Sequence, residues 1–186
     1  MITLKKLSLI AICVTLSASL HAQLEVAQLF TKGQSATGLG GNLHIGFPVG
    51  KGDEISGEIG FYYFAPAQSH EILLPLLLGY RHTFDKTGTG LYIEPFAGYT
   101  IGATDFPRTD ANGNILYTAD GSEEDQRPSG PTTGLGFGYI LPDPRLPINF
   151  GLRFTHVFVS GDPSPSVLAF RVSWSMLTAR RQVSAR

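Results

Sequence analysis

From Val167 to Met176 the chain alternates strictly. Leu168, Phe170, Val172, Trp174 and Met176 fall on one side of an extended strand, and Val167, Ala169, Arg171, Ser173 and Ser175 on the other. Seven earlier segments carry the same period of two: Leu24–Thr31, Gly38–Val49, Glu54–Phe64, His70–Phe84, Leu91–Gly102, Thr132–Leu141 and Ile148–Val159. Turn-forming runs separate them, among them PVGKGDE, DKTGTG, PDPRLP and SGDPSPS. The first segment is the most weakly patterned. The fourth contains ILLPLLLGY, apolar on both faces, where periodicity alone does not separate strand from helix. Pro75 and Pro95 sit inside segments and each removes a ladder donor, so bulges or irregular pairing are expected beside them.

One face of nearly every segment is bulky: Leu39, Phe47, Phe61, Tyr99, Phe137, Phe154 and Trp174 are examples. The opposite face is Gly, Ser, Thr and Asn with occasional Glu and Arg. Small residues suit a crowded interior better than a solvated exterior. The bulky face therefore reads as the outside, in lipid. Each segment is close to the 9–11 residues or so that a tilted strand needs to cross a bilayer. Connections at 50–53, 85–90 and 142–147 are short, while 103–131 is long, the asymmetry of periplasmic turns and outer loops. The pattern predicts an all-β fold, an eight-stranded antiparallel up-and-down transmembrane β-barrel. Tyr63, Tyr80, Tyr99, Tyr139 and Trp174 are the candidates for its interfacial aromatic girdles.

The ends and the composition place this barrel. Lys5 and Lys6, the apolar run Leu7–Leu16 and the small-residue stretch Ser17–Ala22 have the order of a secretory signal peptide, with cleavage expected after Ala22. The barrel is expected over 23–177 and a basic periplasmic tail over 178–186, carrying Arg180, Arg181 and Arg186. Removing 1–22 takes away the only cysteine, Cys13, together with Lys5 and Lys6, and shifts the formal net charge from −1 to −3. Nothing in that balance suggests nucleic-acid binding. Charged residues are 16% of the chain, against about 25% in soluble globular proteins.

With signal, strand count, alternation and loop asymmetry together, Leu24 to Met176 resembles the small eight-stranded outer-membrane barrels of Gram-negative bacteria. The transmembrane domain of outer membrane protein A and the OmpX-like proteins are the best-known types. The resemblance implies an integral protein of the cell outer membrane, in contact with outer-membrane lipid and lipopolysaccharide, monomeric and without a cofactor. Such barrels commonly end in an aromatic residue; here Phe170 and Trp174 precede a continuation, LTARRQVSAR.

Three groups of residues could carry chemistry. Glu58, Arg81, Glu94, Arg153 and Arg171, with His44 beside them in type, fall on the inward face. Eight strands enclose just enough room for side chains, so these are expected to pair as an interior charge network that plugs the lumen. The loop 103–131 carries Asp105, Asp110, Asp120, Glu123, Glu124 and Asp125 against Arg108 and Arg127, and is the candidate surface for an extracellular partner. Asp110, Asn112 and Asn114 have calcium-loop spacing, but Ile115 stands where that loop needs Gly, and Asn112-Gly113 reads more simply as a hairpin turn. A two-stranded extension is expected there.

The third group, His156, Ser160 and Asp162, has the residue types of acyl transfer. Outer-membrane lipid A deacylases place the serine two residues after the histidine, where this chain has Phe158. GLGFG at 134–138 lacks the helix of a phosphate loop, and its glycines read as relief of crowding inside the barrel. The leading expectation is a non-enzymatic envelope or surface-interaction barrel. The alternatives are a lipid A-modifying hydrolase and a soluble periplasmic barrel that binds an apolar ligand.

Overall fold

The computed structural model describes residues 19–31, 34–65, 70–85, 87–104, 106–107, 114–122, 125–143, 148–159 and 164–177. In chain order the strands are β1 (Ser19–Thr31), β2 (Gln34–Pro48), β3 (Asp53–Phe64), β4 (Glu71–Thr83), β5 (Gly90–Gly102), β6 (Phe106–Pro107), β7 (Asp125–Gln126), β8 (Gly130–Ile140), β9 (Ile148–Val157) and β10 (Ser166–Leu177). The eight long ones close into a barrel in the order β1-β10-β9-β8-β5-β4-β3-β2, every neighbouring pair antiparallel. The first and last strands close it, with Val26 opposite Phe170 and Leu29 opposite Val167. Closure matters because lipid offers no hydrogen bonds, and a barrel leaves no edge of unpaired N–H and C=O groups.

β6 and β7 form a separate two-stranded ribbon within the long loop, Phe106 opposite Gln126 and Pro107 opposite Asp125. These two strands lie outside the stretch about Asn112-Gly113 where the hairpin was expected. The Asn112-Gly113 turn lies outside the described residues. The connection between β1 and β2 is only residues 32–33, so one link on the long-loop end is as tight as any on the opposite end. β1 begins at Ser19, and Ser19–Ala22, the last residues of the expected leader, pair with Leu43–Gly46 of β2.

The two mid-strand prolines interrupt pairing without shifting it. The β3–β4 ladder pairs Ile59 with Leu76 and Tyr62 with Leu73, skipping the two positions around Pro75 and resuming in the same register. The β4–β5 ladder likewise pairs Gly79 with Phe96 and His82 with Ile93, skipping the positions around Pro95. Each proline costs local hydrogen bonding, and the flanking strand holds the register in place of a bulge.

Burial is inside-out relative to a protein in water. The alternate residues that point outward are large and apolar, and Leu78 keeps 71% of its surface exposed. The residues that point inward include most of the chain's buried charge. A continuous apolar band on all eight strands far exceeds the few hundred Å² or so that soluble monomers leave exposed. Tyr63 and Tyr99 sit near the long-loop ends of their strands, and Tyr80, Tyr139 and Trp174 near the opposite ends, all on the outer face.

The interior has two layers. Toward the long-loop end it is mostly apolar, with Leu29, Phe64, Leu73 and Val167 buried around Ala27, Ala36 and Ala169, and with Glu71, Thr100, Thr132 and Thr155 as its buried polar members. Toward the other end it is polar, with Gln23, Glu25, His44, Glu58, Arg81, Glu94, Arg153 and Arg171 buried. The run ILLPLLLGY is apolar on both faces for this reason: Leu74, Leu76 and Leu78 face outward while Leu73 and Leu77 fill the apolar layer.

Candidate functional site

Strand alternation aims Glu58 (β3), Arg81 (β4), Glu94 (β5), Arg153 (β9) and Arg171 (β10) at one axis, and the closed barrel brings all five together. Arg171 is the hinge of the group and only 1% exposed. Its Nη2 donates to Glu94 Oε2 at 2.9 Å and its Nη1 lies 3.6 Å from Glu58 Oε2. Arg81 Nη2 donates to the same Glu94 oxygen at 3.1 Å. Arg153 donates to Glu58 and lies 3.4 Å from Glu25. The pairs thus form a continuous chain from Arg81 through Glu94, Arg171, Glu58 and Arg153 to Glu25.

Neutral groups fill part of the remaining capacity, while the buried Nε of Arg81, Arg153 and Arg171 has no hydrogen-bond partner among the described residues. Arg171 donates to Gln23 Oε1 at 3.1 Å and to the Tyr92 hydroxyl at 3.3 Å. Ser56 donates to Glu94 at 3.1 Å, and the Tyr62 hydroxyl donates to Glu25. Arg81 lies 4.7 Å above the Tyr92 ring and Arg153 4.3 Å above Phe96, so the guanidinium faces are covered as well. His44 stands between the acids, 3.0 Å from Glu54 and 3.8 Å from both Glu58 and Glu94. A buried ion pair stabilises only when its other lone pairs and protons are met. Here four carboxylates face three guanidiniums and an imidazole.

Sequence reading did not single out Glu25, Glu54, Gln23, Tyr62 or Tyr92. Glu25 and Gln23 lie on β1, whose contrast is weak because Gln28 faces outward and Leu29 inward. Alternation alone, Leu24 and Val26 out and Gln23 and Glu25 in, was the available signal.

β8 supplies no charge to the network. It supplies room. A Cβ on Gly136 would stand 3.3 Å from Arg171 Nη2, and one on Gly151 of β9 would stand 2.7 Å from the Tyr92 hydroxyl. The glycines of GLGFG are therefore sockets for large inward side chains of other strands.

The acidic loop is described in part. Asp120 sits in an exposed turn, where hydrogen bonds from Thr118 and Ser122 hold its carboxyl down at about 2. It stays a carboxylate well into the acid range. Asp125 lies on β7; Asp105, Asp110, Glu123 and Glu124 lie outside the described residues. Among the described residues no group of three or more His, Cys, Asp or Glu side chains is placed to hold a metal ion.

Of the acyl-transfer set, Ser160 and Asp162 lie outside the described residues. His156 is on the outer face of β9, and its Nδ1 pairs with Ser166 Oγ of β10 at 2.9 Å. Its ring packs edge-on against Phe158 at 4.6 Å. Among the described residues no carboxylate bonds this imidazole.

Comparison with known proteins places the fold. No protein-family model matches the chain, and no curated protein matches it in sequence. Solved structures do match in shape. Ail, the attachment invasion locus protein of Yersinia pestis, superposes with a TM-score of 0.59 at 10% identity, over 85% of this chain and 97% of Ail. Neisserial surface protein A does so with 0.54 at 16% identity, over 85% and 96%. The N-terminal β-barrel domain of Pseudomonas aeruginosa OprF gives 0.50 at 12% identity, over 83% and 97%. The fold is that of the small eight-stranded outer-membrane barrels.

Proposed function

We propose that this chain is a non-enzymatic integral protein of the bacterial outer membrane, closed to transport, that serves the envelope or a surface interaction through its outer loops. One observation carries the reading: large apolar side chains cover the outside of a closed barrel while charged ones are buried within it. That distribution is stable in a bilayer and not in water. The ion-pair chain across the lumen and the apolar layer beyond it support a plugged interior, since open channels belong to barrels of about 16 or more strands. In this reading residues 1–22 are the cleaved leader, so that β1 is shortened from Ser19–Thr31 to 23–31, and 178–186 are a basic periplasmic tail.

The loop 103–131 is the surface for a partner, and its charge decides the partner's kind. One solved structure of Ail holds the heparin analogue sucrose octasulfate. Here the loop 103–131 carries six carboxylates against Arg108 and Arg127, so a polysulfated ligand is disfavoured there and a cationic partner favoured.

Membrane fractionation tests the placement. The protein should stay with outer membranes after carbonate washing and migrate faster unheated than boiled in detergent gels. Release by carbonate would sink the membrane reading. A lipid A mass spectrum altered by deletion of the gene would sink the non-enzymatic one.

A further inference from the structure

Leader removal opens the barrel wall at the end opposite the long loop. Residues 19–22 pair with 43–46 of β2 on one side, Ser19 opposite Gly46 and His21 opposite His44. On the other side they pair with β10, Leu20 opposite Leu177 and Ala22 opposite Trp174. The ladder between β9 and β10 ends at Ile148 and Trp174, so the last ladder step of β10, at Leu177, is made to the leader. Cleavage after Ala22 therefore bares one edge of residues 43–46 and takes that step away. Unpaired N–H and C=O groups in a barrel wall cost free energy and template the pairing of another strand.

The same four residues close the mouth of the lumen. Ser19 Oγ donates to Glu54 Oε2 at 3.1 Å, and the His21 ring packs edge-on against His44 at 5.6 Å. Glu54, the second residue of β3, lies 3.0 Å from His44 and 3.6 Å from Arg81, and its side chain is 19% exposed. Glu25, Glu54, Glu58 and Glu94 outnumber Arg81, Arg153 and Arg171 by one. The leader thus takes from the inner face a hydroxyl and a base, on either side of Leu20, which the alternation turns outward.

The tail carries the same order of side chains. Residues 178–186 follow β10 and lie outside the described residues; they include Ser184, Ala185 and Arg186, a hydroxyl, an apolar residue and a base. Residues 178–183 are long enough for the turn. A chain that turns back on β10 runs antiparallel to it, in the direction of β1, and so antiparallel to β2 as well. We propose that, once the leader is gone, residues 184–186 enter the gap as a short strand between β2 and β10. Ser184 and Arg186 face the lumen, Ala185 faces outward, and Arg186 brings a fourth guanidinium to the four carboxylates, beside Glu54. The proposal rests on the leader and barrel readings above.

Disulfide trapping of the processed chain in nanodiscs tests it. Without the leader the sequence has no cysteine. Ile45, opposite Leu20 in the observed ladder, is opposite Ala185 in the proposed one. Opposed residues stand about 4.5–5.5 Å apart at Cα, within disulfide reach. Mild oxidation of Ile45→Cys with Ala185→Cys should cross-link the pair within one chain. Leu91→Cys with Ala185→Cys, on the far wall at the same end, should stay reduced. Adding Arg186→Gln to the trapped pair should slow cross-linking about fivefold, a difference near 1 kcal/mol, and Arg186→Lys should restore most of the rate. No cross-link, a cross-link between two chains, equal trapping at Leu91, or a rate indifferent to Arg186→Gln would each overturn the proposal. Intact mass and heat-dependent gel migration are read on every sample. A chain that does not begin at Gln23 would overturn the leader reading, and unshifted migration the barrel reading, which keeps those failures apart from that of the tail.

Discussion

Arg171 Nη2 lies 2.9 Å from Glu94 Oε2, joining β10 to β5 across the lumen with three ladder steps of sheet between them. The contact is long-range in sequence and buried at both ends. Removing one partner strands the other charge in a site that water does not reach, a loss of about 3–5 kcal/mol. Arg171→Met should therefore destabilise strongly, and Arg171→Met with Glu94→Gln should cost less than the sum of the two single changes. Urea titration in lipid vesicles, followed by the fluorescence of the sole tryptophan, Trp174, measures each. An additive double variant would show that the pair is not coupled.

A methyl group at Gly151 meets the Tyr92 hydroxyl at 2.7 Å, closer than real Cβ atoms approach anything. Gly151→Ala should cost about 1–3 kcal/mol as overpacking. Tyr92→Phe takes away the obstructing oxygen, along with one hydrogen bond to Arg171. The double variant should then recover part of the loss at Gly151, again read by urea titration. If Gly151→Ala folds at wild-type stability, the glycine is not a socket.

The strand-by-strand faces were legible because alternation is enforced by the solvent on both sides, lipid without and packed polar groups within. Leu168, Phe170 and Trp174 face outward and Arg171 inward as the period of two requires. Glu25 was not singled out because β1 mixes its faces, and the apolar layer was not foreseen because a lumen-facing Leu73 and a lipid-facing Leu74 look alike in sequence. Pairing across the barrel, such as Arg153 with Glu25, depends on closure and register, which no local pattern encodes. The partner of His156 was likewise out of reach: Ser166 is ten residues on and adjacent only through the β9–β10 register.

Phe64 and Leu73 fill the barrel on the long-loop side of the charged layer. They block the axis by volume, where the arginines and glutamates block it by pairing. The wild type should pass no current in a planar bilayer. Phe64→Ala with Leu73→Ala removes the apolar block at a cost of about 3–5 and 2–5 kcal/mol. It should admit brief, small openings, because the charged layer that remains is polar and hydratable. Steady conductance by the wild type would show that the lumen is not plugged.

Leu152 is 53% exposed at the middle of β9, and Leu91 is 48% exposed near the start of β5. In water both are surface positions, and arginine at either should change stability by less than about 0.5 kcal/mol. In a bilayer they differ by depth. Leu152→Arg puts a guanidinium near the midplane and should cost about 2–4 kcal/mol, while Leu91→Arg lies near the interface and should cost about 0–1. Unfolding of both variants in vesicles, set against the same pair in short-chain detergent, separates the two solvents. Equal and small effects at the two positions would mean that the exposed leucines face water, and the inside-out argument for a membrane barrel would fail with them.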